Sequence, residues 1–218
     1  SALRCEGVDA LLAALEHDTL APAYGPEFAA QVYKVSYGGK GERLTHLKVT
    51  GGVLRAKQLL CAQGGSWQQK ADQLRIYSGA KYTAVAEAPA GTVCAVTGLS
   101  HTYAGEALGC QPPAQAPVLE PVLTYRVLFP EEQDVHTALQ KLRTLEEEDP
   151  QLRVSWNAQL GEVHMRVMGE VQLEVLARLA QQRFGLALQF DEGGILYKET
   201  IASPVEGMGH FEPLRHYA

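Results

Sequence analysis

The chain has few of the residues that build metal centres and disulfide frameworks. Its 218 residues include only four cysteines, Cys5, Cys61, Cys94 and Cys110, which are far apart and form no C-x-x-C pair. The seven histidines are scattered, without H-E-x-x-H or a zinc-type Cys/His spacing. These absences exclude a disulfide-stapled scaffold and predict that no metal is bound. They favour free thiols in a reducing cytoplasm.

Long apolar runs and catalytic signatures are absent as well. No segment approaches the roughly 18 consecutive apolar residues of a membrane span, so no membrane contact is expected. The phosphate-binding pattern G-x-x-x-x-G-K-[ST] does not occur, nor does the G-x-S-x-G of a serine nucleophile. The acidic run from Glu146 to Asp149 ends a predicted helix, where acids oppose the dipole, and we interpret it as solvated surface. The chain is therefore predicted to be non-catalytic and to carry no cofactor.

Charge is distributed unevenly along the chain. Residues 1–116 carry ten Lys/Arg against nine Asp/Glu, whereas residues 117–218 carry nine against sixteen. The segment from 34 to 57 holds one acid, Glu42, and six cations, which are Lys34, Lys40, Arg43, Lys48, Arg55 and Lys57. A local excess of this kind can attract a polyanion even when the whole chain is acidic, because charges beyond about 8 Å are screened in the cell.

Short strands separated by glycine turns dominate residues 25–111. Strand composition recurs in six segments, which are Phe28 to Tyr37, Leu44 to Val49, Val53 to Cys61, Ala71 to Tyr77, Lys81 to Ala86 and Thr92 to Gly98. This spacing predicts a small antiparallel β-barrel. Residues 112–121 contain four prolines and are predicted to be the linker that ends it.

A second pattern follows in residues 122–202. Strand and helix periods alternate in the order βαββαβ, with helices predicted over Asp134 to Glu148 and Glu170 to Phe184. This order is that of a ferredoxin-like domain. Leu196 to Ile201 is predicted to be a last extended segment.

The two ends of the chain do not complete a domain by themselves. Residues 1–24 hold one amphipathic helix, Gly7 to Glu16, and a linker. We expect this helix to be the last one of an upstream domain and to pack on the residues that follow it. Residues 203–218 are expected to open a further domain.

Particular motifs resemble those of a known family. In the second half, Leu145 to Pro150, Met168 to Glu174 and Tyr197 to Ile201 resemble domain III of elongation factor G and its relatives. In the first half, Arg43-Leu44-Thr45, Gly52-Val53-Leu54 and Thr102 to Leu108 resemble domain II of the same translational GTPases, and Gly7 to Leu12 resembles the closing helix of their GTP-binding domain. Within the superfamily, Val32 to Tyr37 and Gly169 to Val175 are most similar to the ribosomal protection proteins that confer tetracycline resistance.

The resemblance implies a parent protein that binds GTP and Mg²⁺, with the nucleotide motifs upstream of Ser1. It implies that the monomeric chain docks on the ribosome, on small-subunit ribosomal RNA and a ribosomal protein near the decoding centre, in contact with the parent's GTP-binding and C-terminal domains. In the protection branch the parent would dislodge tetracycline. The implied RNA contacts are Lys40, Arg43, Lys48 and Lys57, and the implied face that senses the GTPase domain is Gly169 with Glu170.

Three alternatives stay open. The chain could be the same piece of elongation factor G proper, whose parent drives translocation. A ferredoxin-like phosphatase would need an Arg and an Asn around a phosphate loop, and the only asparagine is Asn157, in a predicted hairpin. A single-stranded RNA binder would need exposed aromatic rings. Candidate rings exist, but strand periodicity places several of them in the core; they are Tyr33, Tyr37, Trp67, Tyr77 and Tyr82.

Overall fold

The computed structural model of the chain describes residues 1–20, 22–39, 41–114, 119–130, 132–191, 194–195, 203 and 206–207. These residues form two units that differ in their elements. The first unit comprises Ser1–Leu119 and Asp134–Arg153, and the second comprises Glu120–Gln133 and the described part of Val154–Ala218. The predicted extended segment Leu196 to Ile201 lies outside the described residues, as does most of 203–218.

Ten short strands build the described part of the first unit. They are β1 (Ala29–Tyr37), β2 (Arg43–Gly51), β3 (Val53–Arg55), β4 (Leu59–Cys61), β5 (Gln68–Lys70), β6 (Leu74–Ser78), β7 (Lys81–Val85), β8 (Glu87–Pro89), β9 (Val93–Val96) and β10 (Ala107–Gly109). Six of them form one antiparallel sheet in the order β10-β1-β2-β9-β6-β7. The pairs β3-β8 and β4-β5 complete the wall, and a bridge from Ala62 to Leu108 links the β4 end to β10.

The strands of the first unit enclose one apolar core. Alternating residues of the strands point inward, as the period of two requires. The buried side chains include Val32, Leu47, Leu54, Leu74 and Leu108, each fully excluded from solvent. This arrangement confirms the predicted antiparallel β-barrel.

Two predictions about the barrel, one on a strand and one on its aromatic rings, are wrong in part. The segment from Val53 to Cys61 is not one strand, because Ala56 and Lys57 form a turn between β3 and β4 in which Lys57 has a φ of 67°. The expectation that several aromatic rings lie in the core holds only for Trp67, which packs partly buried against it, whereas Tyr33, Tyr77 and Tyr82 are 49%, 38% and 46% exposed. A register shift between Val32 and Lys34 lets Val32 and Val35 both point inward, which leaves Tyr33 and Lys34 exposed between them.

The helix α1 (Val8–Asp18) forms where the apolar spacing predicts it. Its predicted packing is wrong, because α1 contains no buried residue and Leu11, Leu12 and Leu15 are each more than half exposed. The apolar stripe of α1 can contribute hydrophobic stabilisation only when another element covers it.

The helix α2 (Val135–Glu148) belongs to the first unit, where it contacts β1. Its start is capped by Asp134, whose side chain accepts a hydrogen bond of 2.8 Å from the Thr137 backbone N–H. Asp149 and Pro150 end it, and a single 3-10 turn over Pro150–Leu152 follows.

The second unit contains a mixed set of short elements around one sheet. They are β11 (Leu123–Leu128), β12 (Ser155–Asn157), β13 (Glu162–Val167), α3 (Glu170–Phe184), β14 (Gln189–Phe190) and β15 (Gly194–Ile195). The antiparallel order is β12-β13-β11-β14, and β15 also pairs with β11. Gly185 ends α3 in the left-handed conformation, with a φ of 67°.

The sequence of elements from β11 through α2 to β14 is the predicted βαββαβ. The fold class is thus confirmed as an antiparallel β-barrel followed by a ferredoxin-like series of elements. All four cysteines are free thiols, and Cys94 alone is buried. In the part of the chain that the structure describes, no helix combines the length and apolarity needed to cross a membrane.

Candidate functional site

The predicted basic segment lies on β1, β2, β3 and the turn that follows β3. Of its four predicted RNA contacts, Lys40 lies outside the described residues. Arg43 begins β2, Lys48 lies five residues further along the same strand, and Lys57 lies in the turn before β4. Residues an odd number apart on a strand point to opposite faces, so the structure does not bring Arg43 and Lys48 onto one surface.

Arg43 is engaged inside the first unit. Its side chain is only 14% exposed. The Nη1 atom donates to the Leu99 carbonyl at 2.7 Å and to the Thr102 hydroxyl at 2.9 Å, while Nε donates to Glu147 Oε2 at 2.8 Å. The guanidinium therefore ties β2 to the loop before β10 and to the end of α2.

Lys48 and Lys57 are the accessible cations of the set. Lys48 lies on the outer face of β2, where its register partners are Gln31 and Val93. Lys57 donates from Nζ to Asp72 Oδ1 at 3.0 Å, and both of these side chains are more than half exposed. An exposed pair of this kind contributes about 0–1 kcal/mol, so a phosphate could replace Asp72 as the partner of Lys57 at little cost.

A cleft of about 560 Å³ opens beside Lys57. It is lined by two cations, Arg55 and Lys57, and by Pro26, Phe28, Gly52, Val53, Ala56 and Gln58. Arg55 Nε lies 3.6 Å from Glu87 Oε2, again between exposed side chains. The cleft is thus lined by apolar side chains together with two exposed cations, each in an exposed ion pair.

The predicted GTPase-sensing residues lie where β13 passes into α3. Gly169 is the N-cap residue in extended conformation, and Glu170 is the first helical residue and exposed. Gln172 accepts a hydrogen bond from the Met168 backbone N–H at 2.8 Å, which satisfies a donor next to the helix start. Glu170 complements the positive end of the helix dipole. The sensing role of Gly169 and Glu170 stays a prediction.

The acidic run at the end of α2 has a different role from the one its sequence suggests. Glu147 Oε2 accepts hydrogen bonds from Arg43 Nε and, at 2.7 Å, from the Tyr37 hydroxyl. Glu148 accepts from the Tyr37 backbone N–H at 3.1 Å. The interpretation as solvated surface is incomplete, because Glu147 is 45% exposed but, together with the half-buried Glu148, also holds α2 on the β1-β2 hairpin.

The loop before β10 contains a buried carboxylate, Glu106, which accepts two hydrogen bonds. Glu106 is 5% exposed, accepts from Trp67 Nε1 at 3.0 Å and accepts from the Tyr103 backbone N–H at 3.3 Å. Burial raises the pKa of Glu106, while the two hydrogen bonds and the charge of Arg43 oppose that rise. Sequence reasoning missed this residue, because nothing in the local pattern around Glu106 indicates that its carboxylate meets Trp67.

The described residues contain no cluster of three or more His, Cys, Asp or Glu side chains that could hold a metal ion. Asn157, the residue a phosphatase would need, ends β12 and accepts hydrogen bonds from the Gln159 and Leu160 backbone N–H groups at 3.0 and 3.2 Å. Its amide oxygen therefore shapes the hairpin between β12 and β13.

Comparison with solved structures and with family models gives consistent results. A protein of known crystal structure from Thermus thermophilus superposes with a TM-score of 0.68 and 24% identity, over 85% of this chain and 29% of that one. Residues 118–192 match the family model described as Elongation Factor G, domain III. The chain is thus a β-barrel joined to a domain of the elongation factor G domain III type.

Proteins named as elongation factors align with most of the chain. Elongation factor 2 of Pyrococcus abyssi is 30% identical over 173 residues, which are 78% of this chain and 24% of that protein. Elongation factor G 1 of Geobacter sulfurreducens is 30% identical over 188 residues, which are 84% of this chain and 27% of that protein. The chain therefore spans about a quarter of the length of these relatives. It is a homologue of elongation factors G and 2, within the translational GTPase superfamily.

Proposed function

We propose that the chain is the ribosome-docking part of a translation factor and performs no catalysis itself. The observation that carries this proposal is the alignment of both of its parts, in order, with elongation factors G and 2 over about four fifths of its length. The parent protein would bind GTP and Mg²⁺ in other domains. The exposed apolar stripe of α1 supports assigning residues 1–24 to the contact with such a domain.

Docking would use the barrel. Lys48 on the outer face of β2 and Lys57 at the cleft are accessible cations, and neutralising phosphates with lysine binds RNA with little dependence on its sequence. Arg43 would support this surface from within, because its donors already face protein acceptors. The RNA contact predicted at Lys40 stays a prediction.

The choice between branches of the superfamily favours the elongation factors. The relatives named above as elongation factor 2 and elongation factor G support that reading, and none of these names points to tetracycline resistance. We therefore propose translocation, rather than drug release, as the parent's activity. The predicted domain limits, 1–24, 25–111, 112–121, 122–202 and 203–218, are retained as part of this proposal.

Two assays test the proposal. The chain should sediment with ribosomes and, in excess, should slow translocation driven by elongation factor G, since both would compete for one surface. Failure to sediment with ribosomes at low salt would contradict ribosome docking. The parent should promote translocation in a GTP-dependent manner; release of labelled tetracycline without translocation would instead establish the protection branch.

A further inference from the structure

Four aromatic side chains form a continuous row across the outer face of the barrel sheet. They are Tyr33 on β1, His46 on β2, Tyr77 on β6 and Tyr82 on β7, and we call them the aromatic row. Successive ring centroids lie 6.2, 6.2 and 5.4 Å apart, with interplanar angles of 53°, 42° and 48°. The row therefore crosses the sheet from β1 to the edge strand β7.

The row faces solvent because the strand pattern places other residues in the core. The inward neighbours Val32, Leu47 and Leu74 are fully buried, whereas Tyr33, Tyr77 and Tyr82 each keep between a third and a half of their surface exposed. Three partly exposed tyrosines on one face of a sheet form a surface that a partner can cover. A contiguous exposed patch of this kind is a feature of binding sites, whereas apolar residues exposed singly are ordinary.

The rings are held in place by polar contacts. The Ser36 hydroxyl and His46 Nε2 lie 2.7 Å apart, which fixes the imidazole at the centre of the row. The Arg75 guanidinium stacks 4.3 Å above the Tyr82 ring, and its two Nη atoms donate to Glu42 at 2.8 and 2.9 Å. The row is thus pre-formed, which lowers the entropy lost on binding.

Cations flank the row. Lys34 is exposed and is the register partner of His46, and Lys48 lies two residues from His46 on the same face of β2. The ion pairs found among the described residues involve other lysines and arginines, such as Lys57 and Arg75, and include neither Lys34 nor Lys48. The surface therefore combines aromatic faces with positive charge.

We propose that the aromatic row stacks the unpaired bases of single-stranded RNA, while Lys34 and Lys48 contact the adjoining phosphates. Aromatic stacking beside a basic track is how proteins bind single strands without reading their sequence. Charge decides for RNA over a protein partner, because Lys34 and Lys48 lie beside His46 and a phosphate backbone supplies the complementary negative charge. The inference rests on the proposed ribosome docking and deepens it, because it names unpaired nucleotides as the RNA class.

The test measures binding of the 218-residue chain to a fluorescent oligouridine of about twelve nucleotides, with an RNA duplex of equal length as comparison. The wild-type chain should bind the single strand more tightly than the duplex. Tyr77→Leu should weaken single-strand binding by roughly 5- to 100-fold, while Tyr77→Phe, which keeps the ring, should bind nearly as tightly as wild type. Tyr103→Leu is the matched control, because Tyr103 is exposed but lies outside the row.

Ring-proton chemical shifts of His46 in the wild-type chain give a second measurement that needs no variant. A stacked base should move them upfield as the oligonucleotide is added. Equal affinity for the duplex, unchanged binding by Tyr77→Leu, or unshifted His46 resonances at saturation would each overturn the proposal. If ribosome binding persists in those cases, the docking function stands without the row; if oligouridine binding follows the row but ribosomes are not bound, the docking function fails instead.

Discussion

Arg43 and Glu147 form an ion pair in which Nε lies 2.8 Å from Oε2, between the start of β2 and the last turn of α2. The same arginine reaches the Leu99 carbonyl and the Thr102 hydroxyl, so one side chain joins a strand, a loop and a helix of the first unit. This placement makes Arg43 a structural centre of that unit.

Arg43→Lys should destabilise the chain by about 2 kcal/mol, because a lysine ammonium cannot reproduce the forked set of donors and leaves buried acceptors unpaired. Urea unfolding measures the loss. Lys48→Arg, on the exposed outer face of the same strand, is the control and should change stability by less than about 0.5 kcal/mol. Equal effects of the two substitutions would contradict the assigned role of Arg43.

The Tyr37 phenol should titrate far above its usual range. Burial, and then the hydrogen bond and charge of Glu147, raise the pKa of Tyr37 to about 12. Glu147→Gln should lower this pKa without returning it to the ordinary value, because burial is the larger cause. Carbon NMR of labelled tyrosine, assigned with Tyr37→Phe, measures the shift. A Tyr37 pKa unchanged by Glu147→Gln would show that the hydrogen bond is not made.

Glu106 should make stability fall as pH rises. Its pKa is raised in the folded chain by burial, so the folded state holds the proton more tightly than the unfolded state does. The stabilisation is complete below the ordinary glutamate pKa of about 4.3 and is lost as pH rises through the higher folded value. As pH rises from acidic to neutral, the unfolding free energy of the wild type should therefore fall relative to that of Glu106→Gln. A shift in the opposite direction would contradict the raised pKa.

Gly98 should tolerate a side chain far less well than Gly105. Both have left-handed backbone, with φ of 91° and 97°, but a Cβ on Gly98 would lie 2.6 Å from the Lys70 carbonyl oxygen, whereas one on Gly105 would meet no atom within 4 Å. Gly105→Ala should cost about 1 kcal/mol from backbone strain alone, and Gly98→Ala about 2 kcal/mol more. Thermal unfolding of the two variants measures the stability that each loses. Equal losses would show that the backbone around Gly98 moves to accommodate the added Cβ.

Local signals predict the helices well and the barrel strands less well. The bounds predicted for α3, Glu170 to Phe184, are those of the structure, because an acidic first turn and Gly185 mark its two ends. The split between β3 and β4 escapes prediction, since Lys57 adopts a positive φ without the glycine or asparagine that usually signals it.

The contacts that organise the site depend on residues far apart in the chain. Arg43 and Glu147 are 104 residues apart, and no periodicity predicts that they meet. Strand period counted from Val35 places Tyr33 in the core, but the register shift between Val32 and Lys34 lets both valines point inward and leaves Tyr33 exposed. Composition therefore predicts that a basic surface exists, while the pairing of strands decides which cations reach it.

The most direct test of ribosome docking is the salt dependence of binding to isolated small ribosomal subunits, measured between about 50 and about 200 mM salt. The logarithm of the association constant should fall linearly with the logarithm of salt concentration. Replacing Lys48 and Lys57 together by Gln should reduce the slope by about 1 for each lysine. Absence of binding at the lowest salt, or an unchanged slope in the double variant, would contradict docking through the barrel.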